Sequence, residues 1–295
     1  MHERDHFSSY HPIVNLSYFA GVLLVCMCSS HPVTLLCSLF AALIYCFRIY
    51  GKKAMGARIL YVLPMMLLAV LINVLFHHEG VTVLAYFPTG NPLTLESMVS
   101  AVVSGLILVC VIVWFFAISY VMTDEKLLYL FGRLSPSFAL ILCMTMRLIP
   151  HFVQRCKTVA DTRRLLSQQP VRGVGGRIRF YASVLSGVVT WSLEESINTA
   201  DSMRCRGYGS GERTAFFLCR FEKRDRDLLM LIAAAVLFMV AGMVCGVYEM
   251  RCYPTFSFVQ TTPIVVCMHL ASAMFFLLPF LLDIKDCARR SDTAA

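Results

Sequence analysis

The amino-acid sequence predicts an all-α integral membrane protein with about six transmembrane helices and a cytoplasmic domain of long amphipathic helices. Of its 295 residues, 58% are hydrophobic and 15% are charged, whereas soluble proteins have about 25% charged residues. Six stretches reach or approach the ~20 apolar residues that a membrane-spanning helix needs. Residues 123–227 separate four of these stretches from the last two and hold most of the positive charge.

The predicted spans are residues 13–29, 32–47, 59–76, 98–122, 228–248 and 263–282. The first two are short for a full crossing, and only Ser30 and His31 separate them. We predict a tight hairpin here, because one span through both would be too long and Pro32 breaks a helix. The chain then divides into residues 1–122 with about four spans, the segment 123–227, and residues 228–295 with two spans and a tail.

The distribution of lysine and arginine predicts the orientation. If residues 123–227 are cytoplasmic, the loop predicted over residues 48–58 lies on the same side, and so do 25 of the 26 cations, with only Arg251 outside. Both termini are then cytoplasmic, and residues 30–31, 77–97 and 249–262 face outside. No cleavable signal peptide precedes the first span, so we expect insertion through the chain's own helices into a bacterial or archaeal plasma membrane.

Possible metal ligands have a structural explanation. Most of the thirteen cysteines stand singly in apolar runs and no C-x-x-C pair occurs, which favours packing over zinc binding. His77, His78, Glu79 and Glu96 are also candidates, but adjacent histidines do not share one helix face. His269 is expected to hydrogen-bond a neighbouring helix. We therefore predict no metal site.

Residues 123–227 combine seventeen cations and ten carboxylates with amphipathic apolar stretches. We predict three helical pieces: residues 137–166 with a kink at Pro150, residues 177–206, and a short piece near 215–224. The helix-breaking residues of 168–176 predict a loop or hinge between the first two. The second piece, near 30 residues, would be about 45 Å long.

The end of this second piece has the features of a capped helix terminus. Gly207 is placed for a left-handed C′ cap, and Arg204 and Arg206 fall where cations oppose the negative end of the helix dipole. Asp201 precedes Arg204 by three residues, so we predict an ion pair that leaves Arg206 to reach outward. A guanidinium suits bidentate binding to another protein.

A helical stripe of apolar residues leads to this end. Its members recur at helical spacing and predict one face that packs on the protein, namely Leu193, Ile197, Ala200 and Met203.

Glu195, Asp201, Arg206, Gly207 and Tyr208, spaced as E-x5-D-S-M-x-x-R-G-Y, resemble a signature of the T component of energy-coupling factor transporters. This cobalt-transport permease family supplies membrane subunits of ABC-type vitamin and transition-metal importers, and the signature belongs to its second coupling helix. Further similarities follow in order along residues 10–227, at 11–12, 73, 77–82, 90–96, 147–150, 213–214 and 224–225.

The chain departs from the family pattern in two places. Cys205 stands where the Ala-Arg-Gly signature has alanine, a small-for-small change. The first coupling signature has two candidates: Arg163 with Arg164 by spacing from Pro150, or Arg172 with Gly173 by motif chemistry. Both remain open.

The resemblance implies a non-catalytic subunit whose two coupling-helix tips are held by two ABC ATPases. Those partners would bind ATP and Mg²⁺, and a separate membrane-embedded S component would bind the cargo. We expect no cofactor and no nucleic acid on this chain, whose other contact is the lipid bilayer. It contains no G-x-x-x-x-G-K-[ST] phosphate loop, which agrees with this role.

Two other classes of protein are alternatives. A self-contained secondary transporter needs ionisable groups within the membrane, and the predicted span centres contain no Asp, Glu, Lys or Arg. A membrane-embedded metal-dependent hydrolase would need His77, His78, Glu79 and Glu96 to converge.

Overall fold

The computed structural model describes residues 7–76, 80–86, 92–166, 173–211, 221–248 and 263–294. Within them it forms two compact units: Met1–Lys126 with Cys219–Ala295, and Leu127–Leu218. The helices are α1 (Pro12–Cys28), α2 (Pro32–Phe76), α3 (Leu95–Val121), α4 (Asp124–Leu134), α5 (Pro136–Leu166), α6 (Gly173–Cys205), α7 (Lys223–Val244) and α8 (Pro263–Ala294). Two strands, β1 (Val83–Tyr86) and β2 (Pro92–Thr94), precede α3.

Helix α1 starts and stops where its sequence predicts. Pro12 occupies the first turn, where its missing N–H is not needed, and the Nδ1 of His11 accepts a hydrogen bond from the Ile13 amide at 3.3 Å. The helix has 17 residues, fewer than the ~20 that a full crossing needs. Residues 29–31 separate it from α2, so the predicted break is confirmed.

The predicted loop over residues 48–58 is wrong. Helical structure continues through α2 to Phe76, and only Gly51, with φ 75° and ψ 162°, leaves helical geometry. Glycine adopts this φ without the Cβ clash that other residues meet. Arg48 and Arg58 therefore lie on helical segments on either side of a one-residue break.

The antiparallel strands β1 and β2, which the sequence did not predict, connect α2 to α3. Thr94 caps α3 by accepting a hydrogen bond from the Ser97 amide at 3.3 Å. The buried carboxylate of Glu96 accepts hydrogen bonds from the Thr82 amide at 3.3 Å and the Thr82 hydroxyl at 2.7 Å. A Cβ on Gly80 would lie 2.6 Å from Glu96 Oε2, so only glycine fits this turn.

The core of the first unit is aromatic. Trp114 of α3 is fully buried among Tyr18, Phe19 and Phe276, and its indole N–H donates to the Ser38 hydroxyl at 2.9 Å. The hydroxyl of Tyr18 donates to the Phe276 carbonyl at 3.2 Å. These bonds satisfy the polar atoms that the large rings bring into an apolar interior.

Close contacts bring the helices of this unit together. A Cβ on Gly105 of α3 would lie 2.7 Å from Val70 Cγ2 of α2, so the two helices cross where one has no side chain.

Two of the cysteines predicted to pack, Cys46 and Cys110, are buried, whereas Cys143, Cys245 and Cys267 are exposed.

Six helical segments in the described part of the chain are long and apolar enough to cross a membrane. They are Pro32–Gly51, Lys53–Phe76, Leu95–Val121, Ser137–Leu166, Lys223–Val244 and Pro263–Ile284. Such a set of helices is typical of a multi-pass membrane protein. The set differs from the sequence-based one, since it includes α5 and leaves out the shorter α1. The cytoplasmic placement of residues 123–227 stays a prediction.

In the second unit, α5 and α6 pack against each other. Helix α5 is one continuous helix through Pro150. Helix α6 begins at Gly173, so the predicted loop or hinge over residues 173–176 is wrong and these residues form its first turn. The piece predicted near 215–224 lies mostly outside the described residues, and α7 begins at Lys223.

Candidate functional site: the ends of α5 and α6

The C-terminal end of α6 is closed by a Schellman motif. The Tyr208 amide donates to the Met203 carbonyl at 3.0 Å, and the Gly207 amide donates to the Arg204 carbonyl at 2.9 Å. Gly207 has φ 79°, the left-handed conformation predicted for it. The Ser210 hydroxyl donates to the Gly207 carbonyl at 2.6 Å. The chain therefore leaves the helix through a hydrogen-bonded turn with a defined direction.

The tip of α6 carries solvent-exposed side chains. Arg204, Cys205 and Arg206 are all exposed. Two guanidinium groups beside the last carbonyls of the helix oppose the negative end of its dipole. The tip thus carries exposed positive side chains, and its own hydrogen bonds fix the backbone to which they are attached.

The predicted ion pair between Asp201 and Arg204 does not form. Among the described residues, no salt bridge joins these two side chains, and both are exposed. The entropy cost of fixing two exposed side chains offsets most of the attraction of such a pair in water. Glu195, also assigned a supporting role from the sequence, is exposed as well.

The apolar stripe of α6 is not packed on the protein as predicted. The Leu193 side chain is 61% exposed and that of Ile197 is 63% exposed, whereas Val184 and Val188 nearer the helix start are buried. Helical spacing places apolar residues on one face but does not say what covers that face. The second half of α6 therefore leaves an apolar face open beside its basic tip.

Arg163 and Arg164, one candidate pair for the first coupling motif, both contact α6. A Cβ on Gly187 would lie 3.8 Å from Arg163 Nη2, so this guanidinium lies over the glycine. Arg164 pairs with Asp161 at 3.7 Å, and its guanidinium carbon lies 5.8 Å from the Phe180 ring centre. A third arginine, Arg155, lies 5.1 Å from the Trp191 ring centre. Arg155 and Arg164 thus place cations of α5 over aromatic rings of α6.

The structure brings Arg164 close to residues that the sequence analysis did not single out. An open cleft near the end of α5 and the start of α6 is lined by Arg164, Arg177, Phe180 and Tyr181. Guanidinium groups beside aromatic rings can bind a carboxylate or another group that pairs with guanidinium. The signal was present in the sequence as an arginine three residues before Phe180 on a predicted helix, but its partner on α5 required the tertiary structure.

The other candidate pair is described only in part. Arg172 lies outside the described residues. Gly173, with φ 78°, starts α6 and has no atom within 4 Å of an added Cβ. The glycine is thus at a backbone position that side-chain-bearing residues rarely adopt.

Of the four residues considered for an external metal site, only Glu96 belongs to the described part of the chain. His77, His78 and Glu79 lie outside it, and the Glu96 carboxylate is used by Thr82. His269 is bound by Thr34 of α2, with Nδ1 and Oγ1 3.0 Å apart, which confirms its predicted hydrogen bond to a neighbouring helix.

Comparison with known proteins finds no protein-family model that matches this chain and no similar curated protein. The resemblance to transporter T components therefore depends on the residues named above.

Proposed function

We propose that this chain is the energy-coupling transmembrane subunit of an energy-coupling factor importer. It would transmit ATP-driven motion from two ABC ATPase subunits to a separate substrate-binding membrane subunit that imports a vitamin or a transition metal ion. The observation that carries the proposal is the exposed, Schellman-capped tip of α6 with Arg206 next to Gly207.

The tip has the physical properties that such a connection needs. A helix tip that stays bound to an ATPase while the ATPase moves must transmit force without unwinding. The hydrogen bonds from Gly207 and Tyr208 close this helix end. Arg206 keeps its charge at any physiological pH and can bind a carboxylate or carbonyl groups through two N–H donors at once. The exposed face with Leu193 and Ile197 offers apolar area for a membrane-embedded partner.

In this proposal the chain itself binds no nucleotide. ATP and Mg²⁺ belong to the ATPases, and the membrane subunit that binds the cargo sets its identity. The protein would reside in a bacterial or archaeal plasma membrane with both termini and residues 123–227 in the cytoplasm.

Reversing the charge at the tip tests the proposal. We expect Arg206→Glu to insert normally but to lose co-purification with the ATPases, or to uncouple ATP hydrolysis from uptake. The matched control is Arg226→Glu, because Arg226 is also an exposed arginine and its recorded ion pair is with the adjacent Asp227. Normal uptake by the Arg206→Glu protein would contradict the docking role.

The first coupling motif is tested in the same way. Arg172→Glu and the double change Arg163→Glu with Arg164→Glu should not both reproduce the Arg206→Glu defect. The contact of Arg164 with Phe180 of α6 favours Arg172, since the Arg164 guanidinium already has a partner within the unit. The double change should then lower the thermal stability of the protein, whereas Arg172→Glu should affect only ATPase binding.

A further inference from the structure

Two histidines meet at one end of the first unit. His31 lies in the turn between α1 and α2, and His269 lies in the first half of α8. Their ring centres are 4.6 Å apart, with 38° between the ring planes. The ring of Tyr248, just beyond α7, packs edge-on against His269 at 5.5 Å. Three segments, namely the turn at His31, helix α8 and the residues just beyond α7, thus meet at a pair of imidazoles.

Each ring has a buried nitrogen without a hydrogen-bond partner. These atoms are Nδ1 of His31 and Nε2 of His269, and no donor or acceptor among the described residues reaches either one. Such atoms are uncommon in folded proteins, where nearly all buried polar groups are paired. The Ser29 hydroxyl, in the same turn as His31, is a third buried polar atom without a partner in the described part of the chain.

The remaining contacts leave these nitrogens able to donate electron pairs. Thr34 Oγ1 lies 3.0 Å from the Nδ1 of His269, and a proton on that nitrogen leaves a lone pair on Nε2. A neutral His31 protonated at Nε2 likewise has its lone pair on Nδ1. Two adjacent imidazoles, tilted by 38°, thus each hold a buried nitrogen lone pair that no described residue uses.

We propose that His31 and His269 bind one divalent first-row transition metal ion, such as Zn²⁺ or Cu²⁺, through Nδ1 of His31 and Nε2 of His269. Neutral imidazole nitrogen is a preferred ligand for these ions, whereas Mg²⁺ and Ca²⁺ prefer oxygen. Thr34 has the position of the outer partner that fixes the ring orientation of a metal-binding histidine.

The site is open, with two protein ligands. Among the described residues, no group of three or more His, Cys, Asp or Glu side chains is placed to hold a metal ion. The other coordination positions therefore belong to water or to an exchanging ligand, an arrangement found in accessible rather than structural zinc sites. This inference does not depend on ATPase coupling.

Metal binding is measured on the full chain, purified without a polyhistidine tag, reconstituted in lipid nanodiscs and stripped with EDTA. Exposed thiols are first blocked with N-ethylmaleimide, so that cysteine does not compete for the ion. After dialysis against Zn²⁺, we expect one tightly retained ion per chain by mass spectrometry. With Cu²⁺, electron paramagnetic resonance should show coupling to two nitrogens.

Variants separate this site from other sources of binding. His31→Ala and His269→Ala should each abolish retention of the ion, and each should leave at most one coupled nitrogen in the Cu²⁺ spectrum. Thr34→Val keeps both imidazoles and should weaken binding about 10- to 100-fold. The control is His151→Ala, since His151 is an exposed histidine on α5, and it should bind like the unmodified protein.

Two results would overturn the proposal. One is that the unmodified protein retains no Zn²⁺. The other is that the double variant His31→Ala with His269→Ala retains the same ion with the same two-nitrogen spectrum. Because Thr34→Val removes no ligand, its weaker binding distinguishes a metal site from loss of fold.

Discussion

The backbone amide of His11 donates a hydrogen bond to the side-chain carboxylate of Asp225, 214 positions later in the chain, at 3.4 Å. The same carboxylate accepts a hydrogen bond from the Glu222 amide at 3.0 Å, and Asp225 is only 2% exposed. His11 precedes α1 and Asp225 lies in the first turn of α7. One buried carboxylate therefore joins the starts of two helices.

Replacing this carboxylate should destabilise the first unit. We expect Asp225→Ala to lower the free energy of unfolding by about 2 kcal/mol, because two backbone donors lose their acceptor. Chemical denaturation of the purified protein in detergent measures the change. Asp227→Ala is the control: its side chain is 66% exposed and should cost less than about 0.5 kcal/mol. Equal effects of the two changes would contradict the role given to Asp225.

The ion pair between Arg48 and Asp283 should contribute to stability. The Nε of Arg48 lies 3.5 Å from Asp283 Oδ2, and their side chains are 39% and 6% exposed. Arg48→Met should cost about 1–2 kcal/mol, between the values for exposed and buried pairs. In a double-mutant cycle, Arg48→Met should cost less when Asp283→Asn is present, because the buried charge is gone. Strict additivity of the two changes would argue against the pair.

The left-handed conformation of Gly207 makes it sensitive to any side chain. Gly207→Ala should cost about 1 kcal/mol and loosen the tip of α6, because alanine disfavours φ 79°. Hydrogen exchange should become faster at the amides of residues 207 and 208, which form the cap. Gly211→Ala is a matched control, since an added Cβ there meets no atom within 4 Å and Gly211 has no positive φ. Unchanged hydrogen exchange at these two amides in Gly207→Ala would contradict the role given to the left-handed Gly207.

Stability should fall in mild acid through His31. Burial holds the pKa of His31 below its ordinary value of 6.5, so the unfolded chain binds a proton before the folded chain does. The stability that the neutral ring contributes is present above pH 6.5 and is lost as the pH falls below that value. The unfolding midpoint should drop more between about pH 7.5 and about pH 5.5 in the unmodified protein than in His31→Gln. Identical drops of the unfolding midpoint in the two proteins would exclude His31 as a source of the acid sensitivity.

The apolar face of α6 allows a test that separates assembly from folding. Ile197→Ser should change the unfolding midpoint of the isolated subunit little, because the side chain is 63% exposed. If this face binds a membrane-embedded partner, the same change should reduce recovery of that partner in a pull-down. Val188→Ser is the comparison: its buried side chain should make the subunit itself less stable. Full recovery of partners with Ile197→Ser would show that this face does not bind them.

Local chemistry explains which predictions were correct. The break at residues 29–31 and the cap at Gly207 were predicted because proline and glycine act on the backbone at their own positions. The predicted loop at 48–58 was wrong because the cations that separate two apolar stretches are typical of a loop, whereas in the structure only Gly51 interrupts the helix. The predicted packing of Leu193 and Ile197 was wrong because periodicity identifies a face and not its partner.

The sequence alone determined the membrane-type composition, most of the long apolar helices and the conformation of the α6 tip, since each depends on residues close together in the chain. The tertiary structure decided the contacts between distant residues: Asp225 with His11, Arg164 beside Phe180, and His31 against His269. These contacts depend on which helices pack together and at what rotation. The hydrophobic pattern along one helix does not contain that information, because the pattern repeats every 3.6 residues whichever helix packs against it.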